Sequence, residues 1–189
     1  MKVHTDKINF SDAHSLVTNF HYLGKTRFIC RYPYGLFIDD QLVGAVVYQP
    51  LAVPNSAMSA FGLPRGNYDY LVEMGRLVLN PDYNGKNYGS MLISRSIKYL
   101  KAQNIKAVIS YADSSRHLGA VYQAANFKYY GLTAPKKDYL MPDGKIKQRG
   151  LTKNLGGSWI PRTQKHRYLY LIDKTLPIKW VEQSYPKEK

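Results

Sequence analysis

Apolar residues recur along this chain with two periods, and the longest regular stretch lies near its middle. Met74, Leu77, Val78 and Leu79 form the apolar, partly β-branched run that a buried strand needs, and Asn80-Pro81-Asp82 stops it. From Tyr88 onward the positions Tyr88, Leu92, Ile93, Ile97 and Leu100 recur at helical spacing. Residues 73–100 therefore read as strand, glycine-containing loop and helix. Upstream, Ala13, Leu16, Val17 and Phe20 form a helical stripe that Ser11 or Asp12 would cap and Gly24 would end. Residues 27–34 read as extended, and residues 35–38 and 42–48 as the two arms of a hairpin. Residues 51–67 carry Pro54, Pro64, Gly62 and Gly66 and read as a loop or an interrupted helix.

Downstream, Ile105 to Ala112 reads as a second core strand, parallel to the first because a helix connects them. Asp113-Ser114-Ser115 would cap a helix whose apolar face holds Leu118, Val121 and Tyr122, and residues 127–132 return as a strand. Residues 139–141 and 145–147 flank Pro142-Asp143-Gly144, a hairpin signal. Residues 168–172 form a final strand, and residues 177–189 read as a flexible tail. This order predicts a single α/β domain over residues 1–189. It is a mixed central sheet flanked by helices, with an additional C-terminal hairpin and basic segment.

A chain of 189 residues, 44% of them hydrophobic, can bury a sizeable core. Its 27 Lys and Arg outnumber 13 Asp and Glu, giving a net charge of +14 that favours polyanionic partners, nucleic acid first. Seventeen tyrosines sharpen this, because aromatic faces among basic residues suit stacking on bases. The alternative is a solvated basic surface over a Tyr-rich core. Cys30 is the sole cysteine, so no intramolecular disulfide forms and a reducing compartment fits. With no apolar stretch near 18 residues, the protein is expected to be soluble and cytoplasmic, without a membrane partner.

Asn84, Gly85, Lys86, Asn87, Tyr88 and Gly89 precede the central helix, where unpaired N–H groups and the helix dipole favour an anion. The loop resembles the pyrophosphate loop of the GNAT acyltransferase superfamily, which implies a GNAT-like fold and an acyl-CoA donor. It departs from the pattern at Asn84, where Arg or Gln is usual, and at Asn87, which replaces a glycine but tolerates positive φ. Residues 110–127, SYADSSRHLGAVYQAANF, resemble the signature of the Mom family of phage DNA-modification proteins, as do His21-Tyr22 and Arg76 upstream. That resemblance implies a carbamoylmethyl (acetamido) transfer to adenine N6 in duplex DNA, protecting phage DNA from restriction in the host cytoplasm. It implies functional roles for His21, Tyr22, Arg76, Asp113 and Tyr122, and an iron held by His21, Tyr22, Asp113 and Tyr122.

Each of these residues also has a structural reading. Asp113 could accept a proton from the adenine amino group or cap a helix. Tyr122 could donate a proton or belong to the core, and His21 could simply close its helix. Arg76, a guanidinium within an apolar strand, needs a partner, and Glu73 is the nearest candidate. Reaching N6 requires flipping the base from the duplex. The basic segment carrying Lys153, Trp159, Arg162, Lys165, His166 and Arg167 is the candidate for contacts with the DNA, or else an unspecific flap. Competing readings are an N-acetyltransferase using acetyl-CoA on a small amine or protein, and a DNA-binding protein without catalysis. Asn80-Pro81-Asp82-Tyr83 approaches an adenine methyltransferase motif but lacks the glycine-rich cofactor loop, and no zinc-deaminase ligand set exists.

Overall fold

The computed structural model describes all residues except 23, 25, 26, 67, 148–155, 188 and 189. In chain order its elements are β1 (Val3–Lys7), α1 (Phe10–Phe20), β2 (Tyr32–Ile38), β3 (Gln41–Pro50), α2 (Asn55–Phe61), β4 (Leu71–Leu79), α3 (Tyr88–Ala102), β5 (Ala107–Asp113), α4 (Ala120–Ala124), β6 (Lys128–Leu132), β7 (Lys136–Leu140), β8 (Ile146–Lys147), β9 (Ser158–Arg162) and β10 (Lys165–Leu171). Seven strands form one sheet in the order β1-β2-β3-β4-β5-β10-β6, and β8-β7-β9 form a small second sheet. Only the β4–β5 pair is parallel, with α3 as its crossover, while the remaining ladders of both sheets are antiparallel. The hairpin at residues 142–144 joins β7 to β8.

Helices cover both faces of the large sheet. On one face α3 buries Leu92, Ile93 and Leu100 completely against Tyr48, Val108 and neighbouring strand residues. Each such side chain contributes about 1.5–3 kcal/mol of burial. On the other face, α1 packs Ala13, Leu16 and Val17 against Ala45, Val47 and Val78. There too α2 packs Ala57, Ala60 and Phe61 against Leu71, Ile109 and Leu169. The cap of α1 lies upstream of the expected Ser11 or Asp12: the Asn9 side chain accepts the Asp12 N–H at 2.8 Å.

Two irregularities in β4 shape the centre of the molecule. Val47 pairs with Arg76 and Tyr48 with Met74, so Gly75 is an extra, bulged residue. Residues three apart in a regular strand face opposite ways, but across this bulge Glu73 and Arg76 share a face while Met74 and Leu77 share the other. Second, β4 and β5 pair only over Leu71–Met74 and Ala107–Ser110. Beyond that point each strand continues and the two part, leaving a gap in the sheet.

Residues 177–187, read as a tail, run along the fold. Lys179 N–H donates to the Ala60 carbonyl at 2.8 Å, Trp180 Nε1 to Ser59 Oγ at 2.8 Å, and Gln183 N–H to the Tyr129 carbonyl at 2.9 Å. The helix expected from Asp113 onward is shorter, beginning at Ala120 behind Gly119, whose φ is +83°. No described helix is long and apolar enough to cross a membrane.

Candidate active site

The gap between β4 and β5 opens a cleft of about 240 Å³ that reaches both faces of the sheet. Its walls are Met74, Gly75, Arg76 and Leu77 from β4, Tyr111 from β5, His117, Val121 and Tyr122 around α4, and His21 and Tyr22 after α1. Backbone groups that would have bridged the two strands are released here, and the side chains of three distant stretches meet. His21, Tyr22, Arg76 and Tyr122, all expected at the site, are therefore neighbours.

Arg76 reaches its face through the bulge, donates from Nη1 to the Gly75 carbonyl at 2.6 Å, and lies over the Phe28 ring. His21 stacks on Tyr22 with ring centroids 4.4 Å apart, and the Arg116 guanidinium sits over the other ring at 4.6 Å. Burial lowers the His21 pKa to about 4, with Arg76 and His117 adding to the shift, so the imidazole is neutral at pH 7. Burial likewise raises the Tyr122 phenol, partly offset by Ser110, and keeps it protonated. Burial raises the Glu73 carboxyl above its ordinary value despite the Ala52 N–H, Lys165 and Arg76.

Asp113 stands apart from these walls. Its Oδ1 accepts the Ser115 N–H at 3.0 Å and the Ser115 hydroxyl at 2.8 Å, closing the turn after β5. Burial alone would raise its pKa, but those two bonds with Lys165 and Arg116 outweigh it and hold the carboxyl low. Among the described residues no three His, Cys, Asp or Glu side chains are placed to hold a metal. The cleft brings together His21, Tyr22 and Tyr122 but not Asp113, so the expected iron ligand set is not assembled there and that expectation is unsupported.

The loop before α3 has the form an anion cradle needs. Asn87 takes φ +58° as the residue preceding the helix, Gly85 takes +80° with open space where a side chain would be, and Asn84, Lys86 and Asn87 are exposed. Tyr88 and Gly89 are buried, and a Cβ on Gly89 would lie 3.1 Å from Val121, so this helix end abuts α4 beside the cleft.

The expected DNA contacts divide. Trp159 on β9 is 56% exposed and packs its edge on Tyr139. Arg162 pairs with Asp138, and Lys165 is exposed on β10. Arg167 donates to the Tyr130 carbonyl at 2.6 Å and lies over Trp180. His166 is buried with Nδ1 2.8 Å from the Tyr129 hydroxyl, which removes it from the surface. Lys153 lies outside the described residues. Sequence reasoning left Tyr111 and Gly75 without a role in the site and gave His117 only a local bond. A glycine inside an apolar strand, as in Glu73-Met74-Gly75-Arg76, is the signal of a bulge that would have placed Arg76.

A family model described as the Mom protein family matches residues 2–187. No curated protein matches the chain. Among solved structures, the ribosomal-protein-S18-alanine N-acetyltransferase from Escherichia coli aligns at 10% identity and a TM-score of 0.57, covering 92% of this chain and 96% of that one. The ribosomal-protein-alanine N-acetyltransferase from Brucella melitensis aligns at 11% identity and a TM-score of 0.56, covering 89% and 99%. A Bacillus subtilis acetyltransferase in complex with CoA aligns at 14% identity and a TM-score of 0.52, covering 90% and 98%. The architecture is GNAT-like, a mixed central sheet flanked by helices with an added hairpin.

Proposed function

We infer, from the premise that this chain belongs to the Mom protein family, that it is a transferase placing a carbamoylmethyl group on N6 of adenine in duplex DNA, shielding phage DNA from restriction. The observation that carries the reading is the convergence of His21, Tyr22, Arg76 and Tyr122, from three separate stretches of the sequence resemblance, on one cleft.

The N6 lone pair is delocalised into the purine ring, so a new N6–C bond forms only as an N6 proton leaves. His21, held neutral in the cleft wall, is the acceptor for that proton. Tyr22, half exposed between His21 and the Arg116 guanidinium, offers its ring to an extruded base once Arg116 swings away to a phosphate. Arg76 supplies fixed positive charge beside the reacting atoms, while Arg116 and Lys165 at the rim face the target strand's phosphates.

A fold neighbour is described in complex with CoA, and the open, left-handed loop at Gly85 and Asn87 with the free N–H groups of α3 fits a pyrophosphate. A coenzyme A thioester held there would deliver an acyl carbon with its thiolate as leaving group, which suits the N-acetyltransferase alternative; a carbamoylmethyl transfer needs a donor whose CH2 carbon itself carries the leaving group, bound at the same loop.

The test is mass spectrometry of nucleosides from plasmid DNA after expression of the chain and of Arg76→Ala. Adenosine heavier by a carbamoylmethyl group, lost in the variant, is the expected result. Unmodified adenine from folded wild-type chain overturns the reading in that host, and an acetylated amine or protein in the same cells favours the N-acetyltransferase alternative.

A further inference from the structure

Beside the cleft lies a polar pair that the proposed function leaves without a task. Gln49 and Glu73 are cross-strand partners of β3 and β4, on the face that carries Arg76. Gln49 is 9% exposed, and among the described residues its amide bonds to no protein group, so its donor and acceptor are left to solvent or to a ligand. A Cβ on Gly75, itself part of the cleft wall, would fall 2.7 Å from Gln49 Oε1 and 2.9 Å from its amide carbon. The missing side chain at the bulge is therefore what makes room for the amide there. Glu73 accepts one N–H, from Ala52 to Oε2 at 3.2 Å, which leaves Oε1 for another donor.

We propose that Gln49 and Glu73 form a base-reading pair that selects a nucleobase presenting, on its Watson–Crick edge, an exocyclic amino group next to an unprotonated ring nitrogen. The proposal rests on the adenine-modifying reading. A Gln amide offers an acceptor and a donor in one plane, matching an amino N–H and the ring nitrogen beside it. Glu73 accepts the second amino hydrogen while the base is bound, and that is the proton His21 takes as the N6–C bond forms. Adenine satisfies all three bonds. Guanine and thymine present a carbonyl oxygen where the amino group would be, so two protein acceptors would face it with no proton between them, a costly arrangement in a dry site. Cytosine carries the same donor and acceptor order on a smaller ring, so the pair rejects keto bases rather than pyrimidines.

Fluorescein-labelled duplexes carrying a single unpaired A, C, G or T, titrated with the full chain and followed by anisotropy, test this. Wild-type chain is expected to bind unpaired A and C about tenfold or more tighter than G and T. In Gln49→Leu and in Glu73→Gln that ratio is expected to collapse to about twofold or less, the loss of a bidentate contact. Circular dichroism confirms folding, and the isosteric Glu73→Gln carries the test if Gln49→Leu does not fold. A wild-type preference that survives in folded Glu73→Gln overturns the pair alone. A wild-type chain with no preference for A and C overturns the pair together with the adenine reading.

Discussion

In the proposed transfer, His21 is the group whose protonation matters most. Its folded pKa of about 4 lies below the 6.5 of an unfolded chain, so the unfolded state binds a proton first as the pH falls. Stability is then expected to decline from pH 6.5 toward 4, and His21→Gln to flatten that part of a plot of Tm against pH. Transfer activity is expected to hold at neutral pH and to fail as the imidazole charges near pH 4, since a protonated ring accepts nothing. Gly75 makes a different demand. A methyl group there meets the end of Gln49 rather than backbone, so Gly75→Ala is expected to fold with a loss of at most about 1 kcal/mol in urea denaturation. Because the Gln49 amide must move from its place against the bulge to make room, the same variant is expected to lose most of its transfer activity. The sequence named His21, Tyr22, Arg76 and Tyr122 from a matched pattern. It said nothing of Gln49, whose environment exists only once the bulge has shifted the register of β4 against β3.

Among the elements, the strands and the central helix were readable because their apolar periods are long and regular. Residues 74–79 and 88–100 fall within β4 and α3. β1 was not read, since in Val-His-Thr-Asp-Lys one buried residue, Thr5, is too little to make a pattern. Asp113 was read as a helix cap because its type and its place after a strand suit one, yet the backbone turns again before α4 begins. Residues 177–187, read as part of a tail, gave no signal for a related reason: their contacts are with distant elements, α2 and β6, and leave no local periodicity. Trp180 packs on the Tyr130 ring, donates to Ser59 and lies under Arg167. Trp180→Ala is expected to cost about 2 kcal/mol or more of stability, read as a lowered urea midpoint, where a free tail would show no change.

At the scale of the whole molecule, a charge of +14 predicts that the proposed binding to duplex DNA weakens steeply with ionic strength. Each phosphate contacted adds about −0.9 to the slope of log K against log salt. Exposed Lys136 and Lys137 on β7 stand on the small sheet with Trp159. Replacing either with Ala is expected to make the slope shallower by about 1 if it contacts a phosphate, without changing which base is modified. Composition announced that field but not its geometry, for charge counts carry no positions.

The strand order has a consequence for how the molecule comes into being. β10 lies between β5 and β6, although both are made long before it, and pairs Tyr170 with Val108 and Tyr168 with Tyr129. While a ribosome is still translating residues 133–164, the inner edges of β5 and β6 have no partner, and contacts so far apart along the chain form slowly. The Lys165 and Arg167 charges enter the sheet with that same strand. The large sheet is thus completed only when its last strand inserts, and Lys165 reaches its place opposite Asp113 in the same step.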